Sequence, residues 1–178
     1  MQRVLLWLCL SLVPLAALTA QGFALDGPTL KANGRMPLDN VYTECGGGNV
    51  SPPLRWHDPP AGTQSFAVTM YDPDAPGGFW HWIAFNIPVG AQGLNADAGK
   101  PRGGDAPGDS VQSRNDFGNA GYSGPCPPPG KPHHYVITVY ALDAPTLGLA
   151  AHFSRADALA AINKHTLAKA ALTVIWGR

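Results

Sequence analysis

Two aspartates, two histidines and a tyrosine stand where short β-type runs meet proline-rich turns. Asp72 and Asp74 lie in Tyr71-Asp72-Pro73-Asp74-Ala75-Pro76, and His81 sits between indoles in Trp80-His81-Trp82. His133 and Tyr135 close the run Gly124-Pro125-Cys126-Pro127-Pro128-Pro129-Gly130-Lys131-Pro132-His133-His134-Tyr135. Imidazole and phenol groups donate hydrogen bonds to phosphate, sulfate or carboxylate oxygens. A carboxylate left alone repels such an anion. Paired with an imidazole, it fixes the ring tautomer and favours the charged ring. Asp74, two positions further along the turn, is expected to bond the backbone of its own loop.

Strands must bring these groups together, and period-two geometry says which residues share a side. Ser65–Tyr71 puts Phe66, Val68 and Met70 on one face, and extension adds Asp72 to it. Trp80–Ile87 puts His81 with Ile83, Phe85 and Ile87. Tyr135–Leu142 continues from His133, so His133 and Tyr135 share a face with Ile137 and Val139. Three strand ends thus deliver Asp, His, His and Tyr to the margin of an apolar layer. Unpaired polar burial there costs about 1–3 kcal/mol per group, so the groups need one another or a ligand. Leu172–Trp176 reads as a further strand, with weaker runs at Thr29–Lys31 and Leu54–Trp56. A helix is expected over Ala156–Ala171, capped by Ser154 with Asp157 three positions on. The 21 glycines and 18 prolines among 178 residues punctuate short strands, as in a sandwich or barrel. Asn95–Asp109, rich in Gly, Asp and Pro, reads as an exposed loop.

These motifs resemble the phosphatidylethanolamine-binding protein (PEBP) family, whose bacterial members are also called Raf-kinase-inhibitor-like. That family carries an Asp-Pro-Asp-Ala-Pro turn, a Trp-His pair and a Pro-Pro loop ending in His-Arg-Tyr. Its glycine-rich entry loop has a counterpart in Glu44–Leu54. Arg114-Asn115-Asp116-Phe117-Gly118, ahead of Gly121-Tyr122, resembles the bacterial branch. The resemblance spans roughly residues 26–178 and implies a mainly β fold: an antiparallel sandwich with Greek-key connections and a C-terminal helix. It implies a ligand site of Asp72, His81, His133 and Tyr135 with Pro128 at the rim, supported by Asp74 and Trp80. The implied ligand is a small anion or a phospholipid head group, whose ammonium could meet Asp72. It further implies a kinase or protease as protein partner. His134 departs from the family's arginine and loses a permanent charge and a bidentate donor. The animal members' C-terminal extension has no counterpart beyond Arg178.

Composition bounds the remaining possibilities. Residues 1–20 read as an export signal, with Arg3, an apolar run from Val4 to Leu18 and small residues up to Ala20. Cleavage is expected after Ala20, with Ala24 as the alternative, leaving a single domain over 21–178 in a periplasmic or secreted location. The apolar run is too short for a membrane span. With 12 basic and 12 acidic side chains, the chain has no electrostatic claim on nucleic acid or anionic membrane. Cys45 and Cys126 remain beyond the export segment, and in an oxidising compartment they are expected to pair; the alternative is two buried thiols. Closing a loop of about 80 residues would stabilise the fold by about 4–5 kcal/mol.

A rival class is a hydrolase, using Asp and two His as an acid/base set or a metal site. Ser123 lacks nucleophile-elbow spacing, and the acid and imidazole groups come from separate loops without a short ligand pair. The expectation is a binding protein with no catalytic residue, no cofactor and no metal.

Overall fold

The computed structural model describes residues 22–100 and 106–178. The expected export segment with its cleavage after Ala20, and positions 101–105 of the predicted loop, lie outside the described residues. The described strands are β1 (Ala24–Asp26), β2 (Leu54–His57), β3 (Ser65–Asp72), β4 (Phe79–Pro88), β5 (Gly93–Leu94), β6 (Val111–Gln112), β7 (His133–Leu142) and β8 (Thr166–Trp176), with helix α1 (Arg155–His165) between the last two. They form two antiparallel sheets, one ordered β1-β2-β5 and the other β6-β4-β3-β7-β8. The fold is mainly β with one C-terminal helix, as expected.

Side-chain alternation builds two apolar layers. Phe66, Val68 and Met70 of β3 and Ile137 and Val139 of β7 meet Leu54 and Trp56 of β2 between the sheets. Ala67, Ile83, Phe85 and Leu142 face the other way, onto Ala158 and Ile162 of α1. Both faces of the larger sheet are therefore covered, which is why β3 is buried along nearly its whole length.

Strand β4 departs from strict alternation. Phe66 pairs with Ile87 but Val68 with Ala84, and Met70 pairs with Trp82 but Tyr71 with Trp80. Each irregularity adds one residue to β4 and inverts the parity of the strand beyond it. Asn86, at a φ of 56°, takes up the first, and asparagine tolerates that backbone region better than most residues. Ile87, Ala84 and Trp82 consequently face the inter-sheet core, whereas Ile83 and Phe85 face α1. The predicted sharing of one face by His81, Ile83, Phe85 and Ile87 is thus corrected. His81 is the extra residue of the second irregularity.

Two further expectations are corrected. Thr29–Lys31 is no strand: Pro28 presets a turn in which the Leu30 N–H donates to Gly27 O at 2.9 Å, and the strand lies earlier, at Ala24–Asp26. The predicted helix Ala156–Ala171 stops at His165, and Thr166–Ala171 instead forms the first half of β8. Those residues pair with β7 from Leu142↔Thr166 to Thr138↔Ala171. Cross-strand pairing along a full neighbour outweighs alanine's helix preference, which is worth only tenths of a kcal/mol per residue, about 0–0.7. The N-terminus of α1 is as expected, with both halves of the Ser154/Asp157 capping box formed. Asn95–Asp109 holds turns, but Ala98 and Gly99 within it are buried.

Candidate functional site

Asp72 ends β3 one register step beyond the Tyr71↔Val136 pair, on the inter-sheet side. Its carboxylate is only 4% exposed. Oδ1 accepts the N–H groups of Asp74 at 2.8 Å and Ala75 at 3.1 Å, so the turn folds back on its own first residue. Oδ2 accepts His133 Nδ1–H at 2.7 Å. Asp74 points outward, where its Oδ2 accepts both the backbone N–H and the ring Nδ1–H of His134, each at 2.7 Å. The amide first, then the ring, holds the Asp74 carboxyl below its ordinary range. Two alternate carboxylates thereby clamp two adjacent histidines, one inside and one outside.

The extra residue in β4 turns His81 to the side of Asp72 and Tyr135. His81 Nδ1–H donates to Ser123 O at 2.8 Å, and the Ser123 N–H returns a bond to His81 O at 3.0 Å. Buried Asn115 braces this junction, its Nδ2 donating to Gly121 O at 3.0 Å and Ser123 Oγ at 2.9 Å. Burial pushes the His81 pKa down despite the nearby Ser123 carbonyl and Asp72, so the ring is neutral at neutral pH. The His81 ring and that of Tyr135 stand nearly perpendicular, 5.2 Å between centroids, with Phe79 at 4.9 Å and Phe117 at 5.7 Å. Tyr135 is fully buried; its hydroxyl lies beside the Asp72 carboxylate but has no partner at full hydrogen-bond geometry. Burial above all, then the Asp72 charge, pushes its pKa up, which keeps the hydroxyl a donor.

These groups surround a cavity of about 240 Å³. Asp72, His81, His133 and Tyr135 form its polar side; Pro76, Phe79, Phe117, Pro127 and Pro128 form the apolar remainder. The five residues expected to contact a ligand, Pro128 included, all line it. Cys126 lines it too and is disulfide-bonded to Cys45, 81 positions away. The pocket loop is further held by Pro125 O accepting the Tyr42 N–H at 3.1 Å and by Arg178 Nε donating to Pro127 O at 2.9 Å. Gly124 is required there, since a Cβ would fall 2.2 Å from Asn40 O.

The two expected supporting residues divide differently. Asp74, expected to bond the backbone of its own turn, instead accepts from His134 of β7, and the turn amides go to Asp72. Trp80 packs against Tyr71 with the rings tilted and their centroids 4.5 Å apart, beside the layer under α1, and does not line the cavity. Sequence reasoning missed the aromatic walls. Phe79 could have been found two positions before His81, and Phe117 lies in the stretch that resembles the bacterial branch. Its neighbour Asp116 accepts the Trp80 N–H at 2.8 Å and pairs with Arg155 of α1. Among the described residues, no group of three His, Cys, Asp or Glu side chains is placed to hold a metal ion.

Comparison with known proteins gives concordant matches. The family model described as phosphatidylethanolamine-binding protein matches residues 26–177. The UPF0098 protein YbcL of Escherichia coli is 41% identical over 162 residues, covering 88% of each chain. Its crystal structure, described as a new member of the mammalian PEBP family, superposes with a TM-score of 0.84 over 89% of this chain and 99% of that one, at 40% identity. YbhB of the same organism is 41% identical over 151 residues, 83% of this chain and 95% of YbhB. CT736 of Chlamydia trachomatis reaches a TM-score of 0.74 at 28% identity, over 88% and 98% of the two chains.

Proposed function

This chain belongs to the phosphatidylethanolamine-binding protein family, and from that premise we propose that it is an exported binding protein of the bacterial Raf-kinase-inhibitor-like branch. Its ligand is a small anion or a phosphorylated head group, held by His81, His133 and Tyr135 with Asp72 behind them. The observation that carries this reading is the buried, unpartnered Tyr135 hydroxyl in a cavity shared with two histidines. A buried donor without an acceptor costs about 1–3 kcal/mol, and an oxyanion in the cavity would recover it. The apolar rim of Phe79, Phe117 and Pro128 would carry the rest of the molecule. Binding rather than hydrolysis is favoured because neither imidazole hydrogen-bonds a serine, threonine or cysteine side chain that it could activate as a nucleophile.

Export is supported by the apolar N-terminal run and by the Cys45–Cys126 disulfide, which suits an oxidising compartment. A protein partner, kinase or protease, is a secondary role that the half-exposed Phe117 at the cavity mouth would serve.

The test is an NMR titration of the histidine ring signals with phosphoethanolamine, with inorganic phosphate as control. Saturable shifts of His81 and His133 support the pocket, and stronger binding of phosphoethanolamine supports a head-group ligand. Absence of any shift at millimolar concentrations refutes the anion site.

A further inference from the structure

We propose that the pocket selects oxyanions carrying an exchangeable proton, taking a hydrogen phosphate monoester over a sulfate ester of the same charge and shape. This inference rests on the anion-binding reading and goes beyond it by assigning the protonation state of the ligand.

Hydrogen bonds within the protein fix the tautomers. Ser123 O is a carbonyl and can only accept, so the proton of the neutral His81 ring sits on Nδ1. The Nε2 left for a ligand is then a lone pair. His133 Nδ1 likewise donates, because Asp72 already accepts two backbone N–H groups on its other oxygen. Both Asp72 oxygens are thus occupied as acceptors by protein groups. The Tyr135 hydroxyl is the donor that the cavity offers whatever the state of its histidines.

Charge points the same way. No lysine or arginine lines the cavity among the described residues, and the one carboxylate in its wall is Asp72. The groups facing His81 are Asp72 from β3, His133 and Tyr135 from β7, and Asp116 from the Phe117 loop. Asp116 is occupied by the Trp80 N–H and Arg155. A fully deprotonated oxyanion would turn a lone pair toward His81 Nε2. An oxyanion bearing one O–H donates into that nitrogen and accepts from Tyr135 through another oxygen. Burial keeps His81 in the accepting form. Sites built to pair with a ligand hydroxyl reject analogues that lack it, because the protein group is left unpaired.

Methyl phosphate and methyl sulfate separate the possibilities, because the monoanions differ by one proton. Their affinities would be measured by calorimetry from about pH 5.5 to 8, spanning the second phosphate pKa of about 6. The expected result is at least tenfold tighter binding of methyl phosphate at the acid end, weakening about tenfold per pH unit above that pKa. Methyl sulfate should stay the weaker ligand in acid, because any gain there from protonation of a cavity histidine is common to both esters. In His81→Phe, which keeps a ring of similar volume, the preference should vanish. Equal affinities for the two esters, or methyl sulfate binding that strengthens in acid as steeply as that of methyl phosphate, would overturn proton selection and leave the anion pocket standing. Saturable binding of neither ester would overturn the anion reading itself.

Discussion

Replacing Asp72 by alanine should loosen the β3 end, the turn and His133 together. The carboxylate accepts the Asp74 and Ala75 amides and the His133 ring. The two turn amides lie near solvent, so their bonds are worth about 0.5–1.5 kcal/mol each; the bond from His133 to a charged, buried partner is worth about 1.5–3 kcal/mol. Water reaching the turn trims the sum, giving an expected loss of about 3–4 kcal/mol, a large part of a typical stability of about 5–15 kcal/mol. For a chain of this size the melting temperature should fall by roughly 6–16 °C. Asp72→Asn keeps one carbonyl oxygen for the two amides but turns its NH₂ toward His133 Nδ1, forcing the other ring tautomer. Its cost should be about 1–2 kcal/mol. Guanidinium denaturation of the three proteins should therefore rank them wild type, Asn, Ala, with phosphoethanolamine affinity falling in the same order. If both variants stay within about 1 kcal/mol of wild type and bind unchanged, Asp72 does not hold this site together.

Removing the disulfide with Cys45→Ala and Cys126→Ala together opens a loop of 81 residues, so denaturant unfolding should show a loss approaching 4.5 kcal/mol (about 15 cal/mol/K of loop entropy). Two titratable thiols in the denatured, unreduced protein lacking residues 1–20, which removes Cys9, would contradict the bond itself. His81 has a folded pKa below its unfolded value of about 6.5, so its contribution to stability is complete above that pH and is lost as pH falls through the interval between the two. The stability difference between wild type and His81→Phe should therefore shift against wild type between about pH 7 and pH 5, and a constant difference would mean that the ring is not held neutral by burial. Ser154→Ala removes the acceptor for the Asp157 N–H and should cost about 1 kcal/mol by thermal unfolding, with ligand affinity unchanged.

Local features were the ones legible in the residues alone. Pro73 and Pro76 around Asp74 announce the turn, Ser154 and Asp157 announce the helix start, and alternation in β3 and β7 puts Asp72, His133 and Tyr135 on one side. Each of these comes from a residue's own geometry or from an unbroken period of two. Long-range pairing set the rest. Alternation in β4 sends His81 to the α1 face with Ile83 and Phe85, and only the extra residue opposite Met70 and Tyr71 returns it to Asp72. Nothing in Trp80-His81-Trp82 encodes that residue, because a bulge is a property of two strands and their pairing. Thr166–Ala171 is helix by propensity and strand by partner, since β7 offers a complete ladder that an isolated segment cannot see. Phe117 and Cys126 reach the pocket through the Asn115 network and the link to Cys45, contacts between loops far apart in the chain. Short-range preferences supply the chemistry at each strand end, whereas its convergence on one cavity depends on register and long-range loop closure.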